Sequence, residues 1–477
     1  MILYIVGHKY HYEMENLCRV FYPGAGIRKQ GAGGMPAGRL RVIKPEPAVI
    51  TRIGGGEIFV QVCVGRRRLS LRHCALGIAH CALELTMAQM LFTLLRRATG
   101  MTPPWGLLTG VRTSKLMLRL RRDEGAVAAE RYFRDTLWVS GEKTRLAAQV
   151  AAVEEPVIAL TGPRSFSLYV SIPFCPSRCH YCSFVSHTID RQSARKLIPA
   201  YVEKLCEEIA LTGEIARELG LELQSVYVGG GTPTSLTAEQ LRRLCEVIQA
   251  RFCHEGEFTV EAGRPDTITE EKLRVLREYG VNRVSVNPQS LDDRVLVLAG
   301  RNHTAKEALD CYELVRGFDF SNVNMDLIAG LPGDTPRGFL RTLERVVALR
   351  PENITVHTLA LKRAAKLEEL QGDAFCYEMP RSYQPYYMYR QSRTLGNLEN
   401  IGWSLAGHFC RYNIDMMEES HTILACGAGG VTKLKRPGTD YLERVFGLKY
   451  PYEYLNRFEE LMARKARVVD FYGAHVV

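Results

Sequence analysis

The sequence lacks any run of about 18 consecutive apolar residues, the length that a membrane-spanning helix requires. Its first residues, MILYIVGHKYHYEM, lack the basic region and the long apolar stretch of a secretory signal peptide. Low-complexity tracts are also missing, and an apolar fraction of 46% with 24% charged residues is typical of ordinary globular proteins. These absences predict a cytoplasmic protein without a membrane span.

Nucleotide-binding loops are missing too. The glycine-rich stretch YVGGGTPT (227–234) fits neither G-x-G-x-x-G nor a P-loop, since no Lys-Ser or Lys-Thr pair follows it. The net charge of +10 favours anionic partners. However, the densest basic segments, GRRRLSLRH (65–73) and LLRRATG (94–100), lack the interleaved aromatic residues of nucleic-acid sites. We therefore expect an anionic small molecule, such as a polycarboxylate, and no nucleic-acid partner.

Strand-like and helix-like segments alternate from residue 166 onward, which predicts an α/β fold of parallel βαβ units with right-handed crossovers. In such folds the chemistry collects at the carboxyl ends of the strands. Each predicted strand ends in a distinctive segment: the cysteine-rich loop, GGGTP, EAGRP, NPQS, DLIAGLP and TLAL. The predicted strands are residues 166–172, 225–231, 257–262, 282–288, 322–332 and 352–360.

Three of the 14 cysteines are clustered directly after the first predicted strand, in LYVSIPFCPSRCHYCSF (168–184). The other eleven occur singly, as expected for small buried hydrophobic side chains. Cys175, Cys179 and Cys182 have the spacing C-x3-C-x2-C. Because cytosolic thiols are kept reduced, we expect thiols or metal ligands here, not a disulfide.

Several kinds of site fit three clustered thiols. Structural zinc takes four ligands, often from paired knuckles, and a second knuckle is missing although His180 and His187 lie nearby. Cys179 and Cys182 alone could form a C-x2-C redox pair. Three thiolates also fit a [4Fe-4S] cluster in which one iron is free to bind a small molecule. The spacing favours the cluster, and zinc, a redox pair and simple packing stay open.

Five segments together resemble the radical S-adenosylmethionine (SAM) superfamily, and most closely the oxygen-independent coproporphyrinogen III dehydrogenases and their relatives with a longer N-terminal region. They are LYVSIPFCPSRCHYCSF, GGGTPT, NRVSVNPQS, GRNHT and DLIAGLPGDT. The resemblance covers residues 165–435. It implies a partial (β/α)6 TIM-like barrel of the radical SAM type over residues 165–365. An N-terminal α+β domain of unknown role (1–160) and a C-terminal region that closes the barrel and covers the substrate pocket (366–477) complete the expected division.

The resemblance also implies roles for individual residues. Cys175, Cys179 and Cys182 would ligate three irons of a [4Fe-4S] cluster, and the fourth iron would bind the amino and carboxylate groups of SAM. Tyr169 would lie beside the cluster, and one or two molecules of SAM would be bound. The implied SAM contacts are Tyr169, Tyr181, Gly231, Thr232, Glu261, Gln289, Arg301, Asp326 and Ala360.

The implied reaction is the oxidative decarboxylation of coproporphyrinogen III in heme biosynthesis. The reduced cluster would pass an electron to the sulfonium of SAM, and the resulting 5′-deoxyadenosyl radical would take hydrogen from a propionate side chain. Loss of CO₂ and an electron would leave a vinyl group, twice per molecule, giving protoporphyrinogen IX. The implied partners are this tetrapyrrole and an electron donor such as flavodoxin or ferredoxin.

Two positions depart from the family pattern. Phe184 stands where the founding enzymes have a further cysteine, and Ser171 stands where histidine is usual. Neither change removes a cluster ligand, but both leave open which substrate is bound and which reaction follows. The alternatives are a heme chaperone, a radical SAM tetrapyrrole methyltransferase or ring-opening enzyme of heme breakdown, and a structural zinc protein. The chaperones carry an H-N-x-x-Y-W element in the C-terminal region, where this sequence has only GNLENIGW and CRYNIDMM.

Overall fold

The computed structural model describes residues 1–31, 47–184, 186–189, 192–360, 376–391 and 394–476. The chain forms two compact units: Met1–Ala148 with Arg390–Asn397, and Gln149–Tyr389 with Leu398–Val477. The domain boundary predicted at residues 365/366 lies outside the described residues, and the three-part division of the chain stays a prediction.

The first unit is built, as far as it is described, on a five-stranded sheet in the order β2-β1-β3-β4-β5. β1 is parallel to β2 and β3, whereas β3, β4 and β5 form antiparallel hairpins. Gly55 and Gly56 make the first hairpin turn with φ of 61° and 73°, a region that favours glycine. The strands are β1 (Ile2–Val6), β2 (Arg28–Gln30), β3 (Ala48–Gly54), β4 (Glu57–Val64) and β5 (Arg67–Cys74).

Helices of the first unit cover one face of this sheet. Leu17, Leu91 and Leu95 from two helices pack with Val49 and Val60 of the sheet in one buried core. The predicted N-terminal α+β architecture is therefore confirmed. The helices are α1 (His11–Phe21), α2 (His80–Thr99), α3 (Thr113–Glu124), α4 (Ala126–Arg131), a π-helical turn (Tyr132–Thr136) and α5 (Gly141–Ala159), which extends past residue 148.

In the described part of the second unit, an eleven-stranded sheet has the order β14-β15-β13-β12-β11-β10-β9-β6-β16-β17-β18. A short parallel pair, β7 and β8, stands apart from it. The strands are β6 (Ser165–Ile172), β7 (Phe174–Cys175), β8 (His187–Thr188), β9 (Glu222–Gly230), β10 (Glu257–Val260), β11 (Arg283–Ser285), β12 (Asn322–Ala329), β13 (Asn353–Thr358), β14 (Tyr383–Arg390), β15 (Glu399–Leu405), β16 (Thr422–Cys426), β17 (Val431–Lys435) and β18 (Leu442–Phe446).

Six neighbouring strands of this sheet, β6, β9, β10, β11, β12 and β13, are parallel from pair to pair. They are the six strands predicted from the sequence, so the partial (β/α)6 barrel is confirmed. The C-terminal segments extend both of its edges, because β16 pairs in parallel with β6 and β15 pairs antiparallel with β13. β11 is shorter than predicted, and the residues after it, which include Pro288, continue without regular pairing.

Helices connect these strands. Thr237 and Thr304 form capping boxes at the starts of their helices, and Pro336 occupies the first turn of its helix. Of the helices in the described residues, none is long and apolar enough to cross a bilayer. The helices are α6 (Gln192–Glu218), α7 (Ala238–Phe252), α8 (Glu270–Glu278), α9 (Asp293–Leu298), α10 (Ala305–Arg316), α11 (Pro336–Leu349), α12 (Arg411–Glu418), α13 (Pro451–Asn456), α14 (Phe458–Arg464) and α15 (Ala466–His475).

The two faces of the parallel strands differ in polarity. In β12 the apolar side chains of Val323, Met325 and Leu327 are fully buried, and polar side chains alternate with them. Polar side chains also border a small cavity of about 30 Å³, namely Thr259, Arg283, Ser285, Asn322, Asn324 and Asn353, together with Tyr227 and Tyr386. This polar lining leads along β12 to the strand ends, where the predicted site residues lie.

Candidate active site

The predicted site residues lie at the carboxyl ends of the six parallel strands. The cysteine loop follows β6, Gly231 follows β9 and Glu261 follows β10. The loop after β11 carries Gln289, and Asp326 lies in the second half of β12. Because these strands are parallel neighbours, their carboxyl ends meet at one rim of the barrel. The fold therefore brings together residues that are far apart in the sequence.

The cysteine loop is held by backbone hydrogen bonds. The amide of Ile189 donates to the carbonyl oxygen of Cys175 (2.9 Å), which pairs β7 with β8. The amide of Cys182 donates to the carbonyl oxygen of Cys179 (3.2 Å) and closes a turn. Cys179 is buried, Cys175 and Cys182 are half-buried, and all three are free thiols. Burial raises the pKa of the Cys175 and Cys182 thiols.

The glycine-rich turn after β9 packs directly against this loop. The amide of Gly231 donates to the carbonyl oxygen of Ile172 (2.8 Å), and the amide of Thr232 donates to that of Phe174 (2.7 Å). A Cβ atom on Gly231 would lie 2.6 Å from the Phe174 oxygen and 3.0 Å from Cys175 Sγ. The Thr232 hydroxyl donates to Cys175 Sγ (3.5 Å). Glycine is therefore needed at 231 for the approach of the cysteine loop itself.

Two buried arginines flank Cys179. Arg301, predicted from the sequence, directs Nη1 at Cys179 Sγ (3.9 Å) and also donates to the carbonyl oxygen of Asn287. Arg264 directs its Nη1 at the same sulfur (3.6 Å) and donates to the Ser177 hydroxyl (3.2 Å). Arg264 was missed by the sequence reasoning, although it lies within the strand-end segment EAGRP. Both guanidinium groups place positive charge beside a thiol.

The carboxylate of Asp266 fixes the orientation of Arg264. Asp266 accepts two hydrogen bonds from it, from Nε (2.8 Å) and Nη2 (2.9 Å). Such bidentate pairing leaves a guanidinium little rotational freedom. The side chain of Arg264 is 4% exposed, so this pair is largely shielded from solvent. Asp266 therefore positions Arg264 against the cysteine loop.

Glu261 lies beside a tyrosine of β9. The Tyr227 hydroxyl donates to Glu261 Oε1 at 2.5 Å. Burial raises the pKa of Glu261 to about 7, and the negative charge of Asp326 adds to this effect. The hydrogen bonds that the carboxylate accepts offset only part of the shift. Glu261 can therefore change its protonation state near neutral pH.

Asp326 has the opposite environment. Burial alone would raise its pKa, but hydrogen bonds and positive charge from His357, with Asn324 and Thr355, hold the pKa of Asp326 below its usual value. His357 Nε2 lies 3.7 Å from Asp326 Oδ2, and Asn324 Nδ2 donates to Oδ1 (2.7 Å). Asp326 is therefore ionised at neutral pH, whereas Glu261 is only partly ionised.

Gln289 adopts an uncommon backbone conformation, with φ of 68°. Its amide donates to the carbonyl oxygen of Asp326 (3.0 Å), and its own carbonyl oxygen accepts from the Ile328 amide (3.0 Å). The side chain is buried, but Oε1 has no hydrogen-bond partner. Since buried amide oxygens are nearly always hydrogen-bonded in proteins, this oxygen is available to a polar ligand at the rim.

The remaining predicted residues lie on apolar parts of the rim. Tyr181 packs against a buried cluster that includes Ile328 and Leu359, and burial raises its pKa. Ala360 is buried directly after β13. Tyr169 lies within a group of tyrosine rings, 6.2 Å from Tyr412 and stacked with it.

This tyrosine stack was not predicted. The rings of Tyr227 and Tyr412 lie 4.3 Å apart at an interplanar angle of 20°. Tyr227 belongs to β9, whereas Tyr412 belongs to α12 in the C-terminal segment. Together with Tyr169 they form an aromatic group next to Glu261. Since the rings come from three distant parts of the sequence, no local pattern indicates the stack.

The two departures from the family pattern lie in different surroundings. Ser171 is buried, and its hydroxyl donates to the carbonyl oxygen of Ala428 (2.7 Å). The carbonyl oxygen of Ser171 accepts from the Tyr201 hydroxyl (2.9 Å). Phe184 is 62% exposed at the end of the cysteine loop. Ser171 therefore ties the end of β6 to the C-terminal segment, and Phe184 adds an apolar side chain to the surface.

The donor set fits an iron–sulfur cluster and a polar ligand. Three free thiols lie in one loop, and two arginines can balance negative charge at Cys179. The buried Oε1 atom of Gln289 has no hydrogen-bond partner among the described residues and can accept a hydrogen bond from a ligand. Among the described residues, no three His, Cys, Asp or Glu side chains are grouped closely enough to share a single metal ion. Residues 169–346 match the Radical SAM superfamily.

Two curated proteins that are similar in sequence to this chain are named for coproporphyrinogen or heme. The oxygen-independent coproporphyrinogen-III oxidase-like protein HemZ of Bacillus subtilis (strain 168) is 36% identical over 408 residues, which cover 81% of each chain. The heme chaperone HemW of the same organism is 36% identical over 199 residues, 41% of this chain and 51% of HemW.

A solved structure shares the fold. Coproporphyrinogen III oxidase (HemN) from Escherichia coli matches 64% of this chain and 72% of its own, with a TM-score of 0.50 and 22% identity. The chain thus belongs to the radical SAM superfamily, whose members use a [4Fe-4S] cluster and S-adenosyl-L-methionine, and within it to the family of coproporphyrinogen III oxidase-like proteins that includes HemZ.

Proposed function

We propose that this protein is an oxygen-independent coproporphyrinogen III dehydrogenase, which converts two propionates of its substrate to vinyl groups and yields protoporphyrinogen IX. The observation that carries the proposal is the meeting of three thiols, two arginines and the polar residues Glu261, Gln289 and Asp326 at one rim. The choice of substrate is supported by the similarity to HemZ, which extends well beyond the radical SAM segment. The net charge of +10 suits a substrate with several carboxylates.

In this proposal Cys175, Cys179 and Cys182 hold the cluster, and Arg264 and Arg301 balance negative charge beside it. When bound there, the cluster and SAM would supply the radical chemistry needed to remove hydrogen from a propionate. Gly231 keeps the space beside Cys175 free of a side chain, and Thr232 donates to the Cys175 sulfur. An electron donor such as flavodoxin or ferredoxin would supply the electron. Free thiols persist in the reducing cytoplasm, where we place the protein.

The polar residues of the rim would orient SAM. The ionised carboxylate of Asp326 and the buried oxygen of Gln289 can accept hydrogen bonds from its ribose or amino group. Glu261 can accept one as well once it is ionised. Tyr181 and Ala360 offer an apolar wall for the adenine. The stacked rings of Tyr169, Tyr227 and Tyr412 exclude water next to Glu261, which protects a reactive radical from side reactions.

The proposed activity is tested by anaerobic reconstitution. We expect the reconstituted protein, given reductant, SAM and coproporphyrinogen III, to release 5′-deoxyadenosine together with products that carry vinyl groups. Equilibrium dialysis with labelled SAM would show whether one or two molecules bind. Nucleoside formation without decarboxylation would reject the dehydrogenase and favour another radical reaction on a tetrapyrrole.

A heme chaperone is the second candidate. It is favoured by the similarity to HemW and by Phe184, the exposed residue that replaces the further cysteine of the dehydrogenases. The two functions differ in their readout. Stoichiometric heme binding without any nucleoside release would support the chaperone and contradict the dehydrogenase.

We expect Arg264→Gln to shift the midpoint potential of the cluster to a more negative value and to slow SAM cleavage about tenfold. In the wild type, the positive charge of Arg264 and its hydrogen bond to Cys179 stabilise the reduced cluster, which carries more negative charge than the oxidised one. The variant loses both interactions. A spectroelectrochemical titration measures the potential. Arg264→Lys, which keeps the charge but loses the bidentate pair with Asp266, is expected to fall between the two.

Arg274→Gln is the matched control, since Arg274 is an exposed arginine of α8 paired with Glu270. It should leave the potential unchanged. A full cluster with the wild-type potential in Arg264→Gln would show that Arg264 plays no part at the site.

A further inference from the structure

Trp138, in the first unit, has a backbone conformation that large side chains rarely adopt. Its φ is 56°, and it follows directly after the π-helical turn Tyr132–Thr136 and Leu137. Positive φ at a bulky residue costs free energy, and π-helical turns are frequent at functional sites. Such strain persists only where the surrounding structure enforces it, and it is often found at ligand sites.

The surroundings of Trp138 do enforce this conformation. The Leu107 amide donates to the carbonyl oxygen of Leu137 (2.9 Å), and the Val139 amide donates to that of Phe133 (2.9 Å). Gly106 lies so close that a Cβ atom there would come within 2.4 Å of the Trp138 carbonyl oxygen. The backbone is thus fixed on both sides of the tryptophan, and its ring is placed in a defined position.

That position is beside the last turns of α2. The Trp138 ring contacts Phe92 edge-to-face, with 5.7 Å between ring centroids. The two aromatic side chains border a cavity of about 450 Å³ together with Thr93, Arg96 and Arg97. This volume is within the range of small-molecule sites. We call these five residues the tryptophan groove.

Both arginines of the groove are exposed, and neither side chain has an ion-pair or hydrogen-bond partner among the described residues. Basic residues in the last turn also complement the helix dipole, so the arginines alone would indicate no ligand. The dipole does not require a strained tryptophan beside them. The combination of an aromatic face with these two guanidinium groups suits an anion that carries an aromatic ring.

We propose that the tryptophan groove binds a molecule that carries carboxylates on aromatic rings, with one ring on Trp138 and its carboxylates paired with Arg96 and Arg97. The choice of a tetrapyrrole as this molecule rests on the proposed function. A tetrapyrrole with propionates would lie with one edge in the groove, and the first unit would hold it as substrate or product. This gives the N-terminal region a binding role.

The test measures binding of coproporphyrin III, the air-stable oxidised form of the proposed substrate, to the full chain by fluorescence anisotropy. We expect Arg96→Gln combined with Arg97→Gln to weaken binding about tenfold or more. Trp138→Gly should weaken it to a similar extent while the unfolding midpoint stays within about 3 °C, because glycine removes the backbone strain. Trp138→Phe keeps an aromatic face and should retain most of the affinity.

The matched control is Arg119→Gln combined with Arg122→Gln, two exposed arginines of α3 in the same unit. It removes the same charge and should leave the affinity unchanged. Equal affinity in the wild type and the groove variants, or equal weakening in the control, would overturn the proposal. The assay for vinyl products tests the proposed function separately. If no vinyl products form but the groove variants still lose coproporphyrin III binding, the dehydrogenase activity is rejected and the proposed binding site in the groove is retained.

Discussion

Replacement of Cys179 by alanine is expected to abolish the broad iron–sulfur absorption after anaerobic reconstitution, and with it all release of 5′-deoxyadenosine. The cluster is held by only three thiolates, because one of its irons has no protein ligand. With Cys179 removed, two thiolates are too few to keep it bound. Cys179 is also the sulfur that Arg264 and Arg301 approach, at 3.6 and 3.9 Å. The loss is measured by absorption spectra and by iron content.

Cys245→Ala provides the control for this experiment. Cys245 is buried in α7, outside the cysteine loop, and burial raises the pKa of its thiol to about 12. We expect this variant to retain the full absorption and activity. A complete cluster in Cys179→Ala would contradict the proposed ligand set, since the loop would then bind iron without one of its three thiols.

Glu261→Gln is expected to weaken SAM binding about tenfold or more while making the protein without cofactors more stable at alkaline pH. The amide keeps the hydrogen bond with Tyr227 but cannot provide a carboxylate to the ligand. Calorimetry with SAM measures the first effect, and denaturant unfolding measures the second. Residues that bind a ligand often lower the stability of the free protein, and Glu261 is expected to be such a residue.

The pH dependence follows from the raised pKa of Glu261. Its carboxyl ionises near pH 4.5 when unfolded and near 7 when folded. The folded state thus binds the extra proton between these values, and stability falls as the pH rises through this window. At pH 8 the unfolding free energy of the variant should exceed that of the wild type by about 3 kcal/mol, and near pH 4 the difference should vanish. Glu313→Gln, an exposed glutamate of α10, should show no such difference; equal stability of Glu261→Gln and wild type at pH 8 would contradict the buried charge.

The sequence allowed the barrel to be predicted because its signals are local. Each parallel strand is a short apolar run, and helices with capping residues such as Thr237 and Thr304 separate them. The cysteine spacing and the strand-end segments also predicted that the candidate site lies at the carboxyl ends of the strands. The resemblance implied a SAM contact at Gly231, which stays a prediction, and the structure adds that the cysteine loop itself is the close neighbour of this glycine.

The missed residues act through long-range contacts. Arg264 meets Cys179 from 85 positions away, and Tyr412 stacks on Tyr227 across most of the barrel sequence. Periodicity and spacing describe neighbours in sequence, so they cannot indicate such pairs. The same holds for Trp138, which brings an aromatic ring to a basic segment that has none of its own.

The central claim is that the rim thiols bind a [4Fe-4S] cluster with one iron open to SAM. Its most direct test is metal analysis of anaerobically purified protein, combined with electron paramagnetic resonance of the reduced state. We predict iron and sulfide in the proportions of one [4Fe-4S] cluster per chain, with a signal that changes when SAM is added. Stoichiometric zinc with neither iron nor sulfide would contradict the account.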